Sequence, residues 1–150
     1  MKVLIVLLST FIVSVIISHF FVGDWNIIFS GNLAMMLMLC FSSLGHFIYT
    51  DGMVMMMPGF IPFKRSLVYF TGILEPALGI ALLFNLSRHI AGISLLVMFV
   101  LMLPANINAA IKHISFEKAT YDGSGPAYLW FRIPLQLLFI GWVFYFSVGL

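Results

Sequence analysis

The chain has 150 residues, of which 63% are hydrophobic and only 8% are charged. Seven Lys and Arg with five Asp and Glu cannot cover the surface of a soluble domain, in which about 25% of residues are charged, so the composition indicates a membrane protein. A net charge of +2 without a basic run excludes a nucleic-acid partner, and a single cysteine excludes an intrachain disulfide and a CxxC redox pair.

Five apolar segments predict five transmembrane helices, at residues 3–22, 33–50, 66–85, 90–111 and 128–149. Each has about 18–22 residues, enough to cross a hydrocarbon core of roughly 30 Å, and the second begins at residue 33 or a few residues earlier. The first segment is interpreted as an uncleaved helix, with a signal peptide as the alternative, because no clean small-x-small cleavage site precedes Asp24. The Met-rich stretch MVMMMPGFIPF at residues 53–63 is too short and too rich in proline to span, so it is predicted to lie at the interface.

The positions of the basic residues predict the orientation of these spans. Five spans place the N-terminus and the loops 51–65 and 112–127 on one side, which holds the basic side chains Lys2, Lys64, Arg65, Lys112 and Lys118. Of the Lys and Arg residues outside the spans, the other side holds only Arg88. Because cytoplasmic loops carry an excess of Lys and Arg, we expect a cytoplasmic N-terminus and a C-terminus that is periplasmic or extracellular.

Polar side chains inside the predicted spans agree in depth and in helix face. Glu75 lies nine residues into the third span, roughly 14 Å from its cytoplasmic edge, and Pro76 follows it directly. The polar residues of spans two, four and five fall in the cytoplasmic half at i, i+3, i+4 spacing, which predicts a polar cavity there. Our candidate residues for a ligand-binding site or polar cluster are His46, Tyr49, Glu75, Asn106, Arg132 and Gln136.

Glu75 decides how this cluster is interpreted. An acid inside a membrane marks a functional site by default, although a structural ion pair or hydrogen-bonded pair also explains it. We expect His46 and Arg132 to reach Glu75 from neighbouring helices, and Gly72 and Gly79 to let a helix approach closely on the same face. The alternatives are a packing histidine for His46 and a snorkelling side chain for Arg132. The ten methionines raise a copper(I) site as an alternative, but no compact ligand set is spaced like one, so no metal is expected.

Five stretches in order resemble the DoxX-like family of small bacterial membrane proteins: SLGHFIYTD, MPGFIPF, LVYFTGILEPALGIALLF, LPANINAAIKH and WFRIPLQLLFIGWVFYF. The resemblance runs from about residue 33 to 148. It implies an all-α membrane protein in which spans two to five form a four-helix DoxX-like transmembrane bundle, with one additional N-terminal transmembrane helix. The predicted parts are residues 1–30 and 31–150. The N-terminal helix and Pro76 depart from the family pattern.

The resemblance also implies a class of functions. Some relatives are subunits of a thiosulfate:quinone oxidoreductase, others accompany redox-stress or methylamine-oxidation systems, and distant ones assist membrane-protein assembly. We therefore expect a multi-pass protein of the bacterial inner membrane that is an accessory or subunit of a membrane redox system and binds a quinone-like or lipid-like molecule. The alternatives are a small proton-coupled transporter that uses Glu75, or an assembly or scaffold protein.

The resemblance supplies no catalytic residue, and the sequence has no motif for autonomous redox chemistry. The chain is therefore expected to act in redox chemistry only as a subunit, with a quinone as the one cofactor under consideration. Its expected partners are the lipid bilayer and a redox or other membrane protein. A homo-oligomer is a further alternative.

Overall fold

The computed structural model describes residues 1–149, and within them the chain forms six α-helices and no strand. The helices are α1 (Lys2–Val22), α2 (Ile27–Ile48), α3 (Thr50–Met56), α4 (Lys64–Ala81), α5 (Asn85–Ile111) and α6 (Pro126–Val143), and a π-helical segment (Phe144–Val148) continues α6. The prediction of an all-α bundle is confirmed.

Four of these helices are long and apolar enough to cross a membrane: α1, α2, α5 and α6 with its π-helical continuation. The helix α4 has 18 residues and includes Lys64, Arg65 and Glu75, so it is the least apolar of the long helices. It begins two residues before the predicted segment 66–85. It also ends four residues before that segment does, because the chain turns between residues 82 and 84. That α4 is a fifth span stays a prediction.

The turn between α1 and α2 sets their antiparallel packing. Gly23 ends α1 in the left-handed conformation, with φ of 77°, which glycine adopts without a steric penalty. Asn26 then caps α2 by accepting a hydrogen bond from the Phe29 amide at 3.2 Å. Further along the pair, the hydroxyls of Ser14 and Ser30 lie 3.0 Å apart. The helix α2 begins at Ile27, six residues before residue 33, so it extends in the direction of the earlier start that the prediction allowed. Residues 30 and 31, between which the boundary of the two parts was predicted, lie inside α2.

The helices α2 and α4 pack closely, as the glycines of α4 predicted. A Cβ atom added to Gly72 would lie 2.7 Å from the Cβ of His46, and one added to Gly79 would lie 3.1 Å from the Cα of Met36. The order of these contacts shows that α4 runs antiparallel to α2. Small residues at both positions therefore allow the two backbones to approach each other.

Pro76 lies inside α4 without ending it. Proline has no amide hydrogen, so the carbonyl of Gly72, four residues earlier, loses its helical donor. The hydroxyl of Ser43 on α2 donates to this carbonyl at 2.5 Å. The neighbouring helix thus replaces the hydrogen bond that the proline removes.

The apolar core occupies the middle of the bundle. Its most deeply buried side chains are Leu7, Met35, Met38, Leu39, Leu82, Leu95 and Val143. A second, smaller cluster of Met56, Ala109 and Ile114 lies where α3 packs on the end of α5. We call this end of the bundle the α3 end; α1, α4 and α6 begin there, and α2 and α5 finish there.

Candidate functional site

A buried pair of titratable side chains joins α2 to α4. His46 Nε2 lies 3.1 Å from Glu75 Oε1, and the two residues are 6% and 3% exposed. Side chains on a helix lean towards its N-terminus, so on two antiparallel helices the imidazole and the carboxyl group lean towards each other. Because Gly72 lies against the Cβ of His46, the ring fits between the helices.

Both ring nitrogens of His46 have hydrogen-bonding partners. Its Nδ1 is 3.0 Å from the Val68 carbonyl oxygen, which can only accept, and 3.2 Å from the Thr71 hydroxyl, which can donate or accept. Its Nε2 meets Glu75 Oε1, and the hydrogen of this bond is carried either by the ring nitrogen or by the carboxyl group.

The second carboxyl oxygen of Glu75 has no such partner. Within residues 1–149, Glu75 Oε2 is the one buried side-chain nitrogen or oxygen of a non-exposed residue that makes no hydrogen bond. Leaving a buried polar atom unpaired costs about 1–3 kcal/mol, and more for a charged group. A hydrogen-bonding partner supplied by a ligand would recover this cost.

Glu75 also forms part of the wall of a cavity of about 410 Å³, which lies between α2, α5, α6 and the beginning of α1. The polar side chains of the wall are Lys2, Ser42, Tyr49, Glu75, Glu117, Arg132 and Gln136. Its apolar side chains include Met38, Leu39, Phe41, Leu44, Phe99 and Phe139. A mostly apolar wall with a few convergent polar groups is typical of small-molecule sites, whose volumes run from about 300 to 1,000 Å³.

The cavity brings together four of the six predicted site residues: Tyr49, Glu75, Arg132 and Gln136. His46 contacts Glu75 but does not line the cavity. The amide of Gln136 donates to the Phe99 carbonyl at 2.8 Å and so joins α6 to α5.

The predicted contact between Arg132 and Glu75 is absent. Among residues 1–149 the ion pairs are His46 with Glu75 and Arg65 with Asp51. Arg132 Nε instead lies 3.5 Å from the Asn106 side-chain oxygen, and the guanidinium carbon is 5.8 Å from the centre of the Tyr128 ring. Asn106, which does not line the cavity, thus holds Arg132 on the α5 side and away from the acid.

Several residues of the site were missed from the sequence. Thr71 lies 3.2 Å from His46 Nδ1, and Phe116 and Glu117 reach the cavity wall from the loop after α5. The position of Thr71, four residues before Glu75 on one helix face, was a usable signal. The loop residues carry no periodic pattern that would indicate their location.

A polar network at the opposite end of the bundle was also missed. The side chain of Asn32 donates to the Phe146 carbonyl at 3.0 Å and accepts from the Ser147 hydroxyl at 2.6 Å. This network joins α2 to the π-helical end of α6. Its hydrogen bonds are all made within the protein, so it leaves no polar atom for a ligand.

Comparison with known proteins gives one match. The model of a family described as a domain of unknown function (DUF8561) matches residues 35–147. These residues include His46, Glu75, Gln136 and the α6 wall of the cavity, and they leave out α1. No curated protein and no solved structure matches the chain. The resemblance to DoxX-like proteins stays a prediction.

Proposed function

This chain belongs to the DUF8561 family, and we propose that it binds a quinone-like or lipid-like molecule in the cavity beside Glu75. The observation that carries this proposal is that Glu75, a residue of the cavity wall, has a buried Oε2 without a hydrogen-bonding partner. Four apolar helices support a location in a membrane, where such molecules are dissolved.

The chemistry of the wall limits what the ligand can be. Met38, Leu39, Phe99 and Phe139 line the cavity and are 2%, 1%, 4% and 7% exposed, so they favour an apolar body. Glu75 Oε2 offers one hydrogen bond: it donates when the carboxyl hydrogen lies on Oε2, and it accepts otherwise. A carbonyl group on the ligand fits the donor form, and a hydroxyl group fits either form.

We place this binding in a membrane redox system of the inner membrane, as the DoxX-like resemblance implies. In that system this chain would hold the molecule and keep a proton on the His46–Glu75 pair, next to the bound molecule. Electrons would come from a partner protein, because no residue here is assigned a redox step.

Ligand-dependent stabilisation tests the proposal. Decyl-benzoquinone should raise the thermal midpoint of the purified protein in detergent, because a ligand that binds only the folded state stabilises it. Glu75→Leu removes the hydrogen bond to the ligand, so its affinity should fall about tenfold, for a loss of roughly 1.4 kcal/mol. The matched control is Asp24→Asn at the other end of the bundle, which should respond as the wild type does. Equal shifts for the wild type and Glu75→Leu would contradict the proposal.

A small proton-coupled transporter is the second candidate, favoured by the contact of two titratable side chains, His46 and Glu75, inside the bundle. Reconstituted vesicles would then show uptake driven by a pH gradient, and Glu75→Leu would abolish it. If neither binding nor uptake occurs and a membrane protein co-purifies, a scaffold function is indicated instead.

A further inference from the structure

We propose that the ligand of this cavity enters from the bilayer, through a lateral opening bordered by Phe41, Leu44 and Ile48 of α2, and that its head group is uncharged. This inference rests on the function proposed above and adds the route and the chemical class of the ligand.

Aromatic side chains cover part of the α3 end of the cavity, beside the exposed Lys2 and Glu117, which also line it. Tyr49, Met53 and Phe116 line it there, and the rings of Tyr49 and Phe116 meet edge to face with centroids 5.8 Å apart. The Phe116 carbonyl lies so close to Gly52 that a Cβ atom would overlap it. We call α3 with residues 114–117 the floor of the cavity.

Additional contacts hold this floor to the bundle. The side chain of Asn108 on α5 donates to the Met56 carbonyl of α3 at 2.8 Å. Met56, Ala109 and Ile114 are all less than 8% exposed and pack into one cluster. A ligand that arrived from water at this end would have to pass the charged side chains of Lys2 and Glu117, which disfavour an apolar molecule.

The side of the cavity along α2 is open by contrast. Phe41, Leu44 and Ile48 line the cavity, yet they are 40%, 56% and 68% exposed. They recur at i, i+3 and i+7, so they share one face and extend over about 10 Å of helix. Because α2 is one of the apolar helices suited to span a membrane, this opening runs along the hydrocarbon region and not only at its edge.

The arrangement of polarity along this route selects an amphipathic molecule. The rim is apolar, whereas Glu75 and Gln136 lie inside at 3% and 7% exposed. A charged head group would lose its hydration while passing the rim, at a large cost in free energy. A neutral hydrogen-bonding head can pass inward to Glu75 while its apolar tail stays at the rim among lipid chains.

Photolabelling in vesicles tests this route. The full chain is reconstituted in phosphatidylcholine with a decyl-benzoquinone that carries a diazirine at the end of its tail. The expected adducts lie on the α2 peptide with residues 41–48, and they are lost in Glu75→Leu. Adducts on Met53 or Phe116 that also depend on Glu75 would overturn the lateral route and leave the binding site intact. If the wild type and Glu75→Leu gave the same adducts, or if no residue of the cavity were labelled, the proposed function would be overturned together with the route.

A matched pair of variants tests the opening itself. Leu44→Trp narrows the rim, while Leu37→Trp adds the same ring on α2 at a residue that is 42% exposed and outside the cavity wall. After a short incubation, labelling should fall severalfold in Leu44→Trp and stay unchanged in Leu37→Trp. Equal labelling of the two variants, with thermal midpoints like that of the wild type, would overturn the proposed route.

Discussion

Glu75 places its two carboxyl oxygens in different surroundings. One oxygen meets His46 Nε2 at 3.1 Å, and the other is buried without a partner on a residue that lines the cavity. A buried oxygen without a hydrogen bond costs stability. This unmade hydrogen bond is the reason that we propose a ligand beside Glu75.

The His46–Glu75 contact predicts a measurable coupling. Replacing either partner strands the other, so His46→Phe and Glu75→Leu should each lower the free energy of unfolding in detergent. The double variant should lose less than the sum, by about 1–3 kcal/mol. Arg132→Gln with Glu75→Leu is the control pair, and its losses should add within about 0.5 kcal/mol because the two side chains do not touch. Additive losses for the His46–Glu75 pair would show that the contact contributes nothing.

At the scale of elements, α4 combines a proline, an acid and two glycines on the face that packs against α2. Gly72 admits His46, and its carbonyl, left free by Pro76, accepts from Ser43. The proline and the glycines, which disfavour an isolated helix, are thus residues that join α4 to α2.

Compensation between two substitutions tests this arrangement. Ser43→Ala should lower the free energy of unfolding by about 1–3 kcal/mol, because the Gly72 carbonyl is then buried without a donor. Adding Pro76→Ala restores the amide that bonds this carbonyl within the helix, so the double variant should recover much of the loss. The control is Ser94→Ala, whose exposed hydroxyl bonds only its own helix and should change stability by less than about 0.5 kcal/mol. No recovery in the double variant would show that the Ser43 hydroxyl has another role.

At the scale of the whole molecule, a five-span topology makes a prediction from charge. The basic loops should face the cytoplasm, so a reporter that needs the periplasm should be active when fused to the C-terminus and inactive when inserted near Asp122. A reporter that is inactive at the C-terminus and active near Asp122 would contradict the five-span topology. Insertion at Asp122 is a fair test, because this residue lies in the loop between α5 and α6 and is exposed.

Apolar runs were sufficient to predict the long helices, because segments that must cross a membrane are recognised by length and hydropathy. They left the start of α2 open, since Ser30 and Asn32 are polar but fully buried and hydrogen-bonded inside the fold. The shared depth of His46 and Glu75 predicted their contact. It could not show that Arg132 contacts Asn106 instead of Glu75, because that choice depends on side-chain geometry. Nor could it show that Phe116 lines the cavity, because the loop after α5 has no periodicity.

The most direct test of ligand binding is an experimental density map of the protein purified from its own membranes in a mild detergent. We expect density for an elongated molecule between α2 and α6, with a polar atom within hydrogen-bonding distance of Glu75 Oε2 and an apolar tail passing Phe41 and Leu44. A cavity filled only by water, or an Arg132 side chain that occupies it and pairs with Glu75, would contradict it.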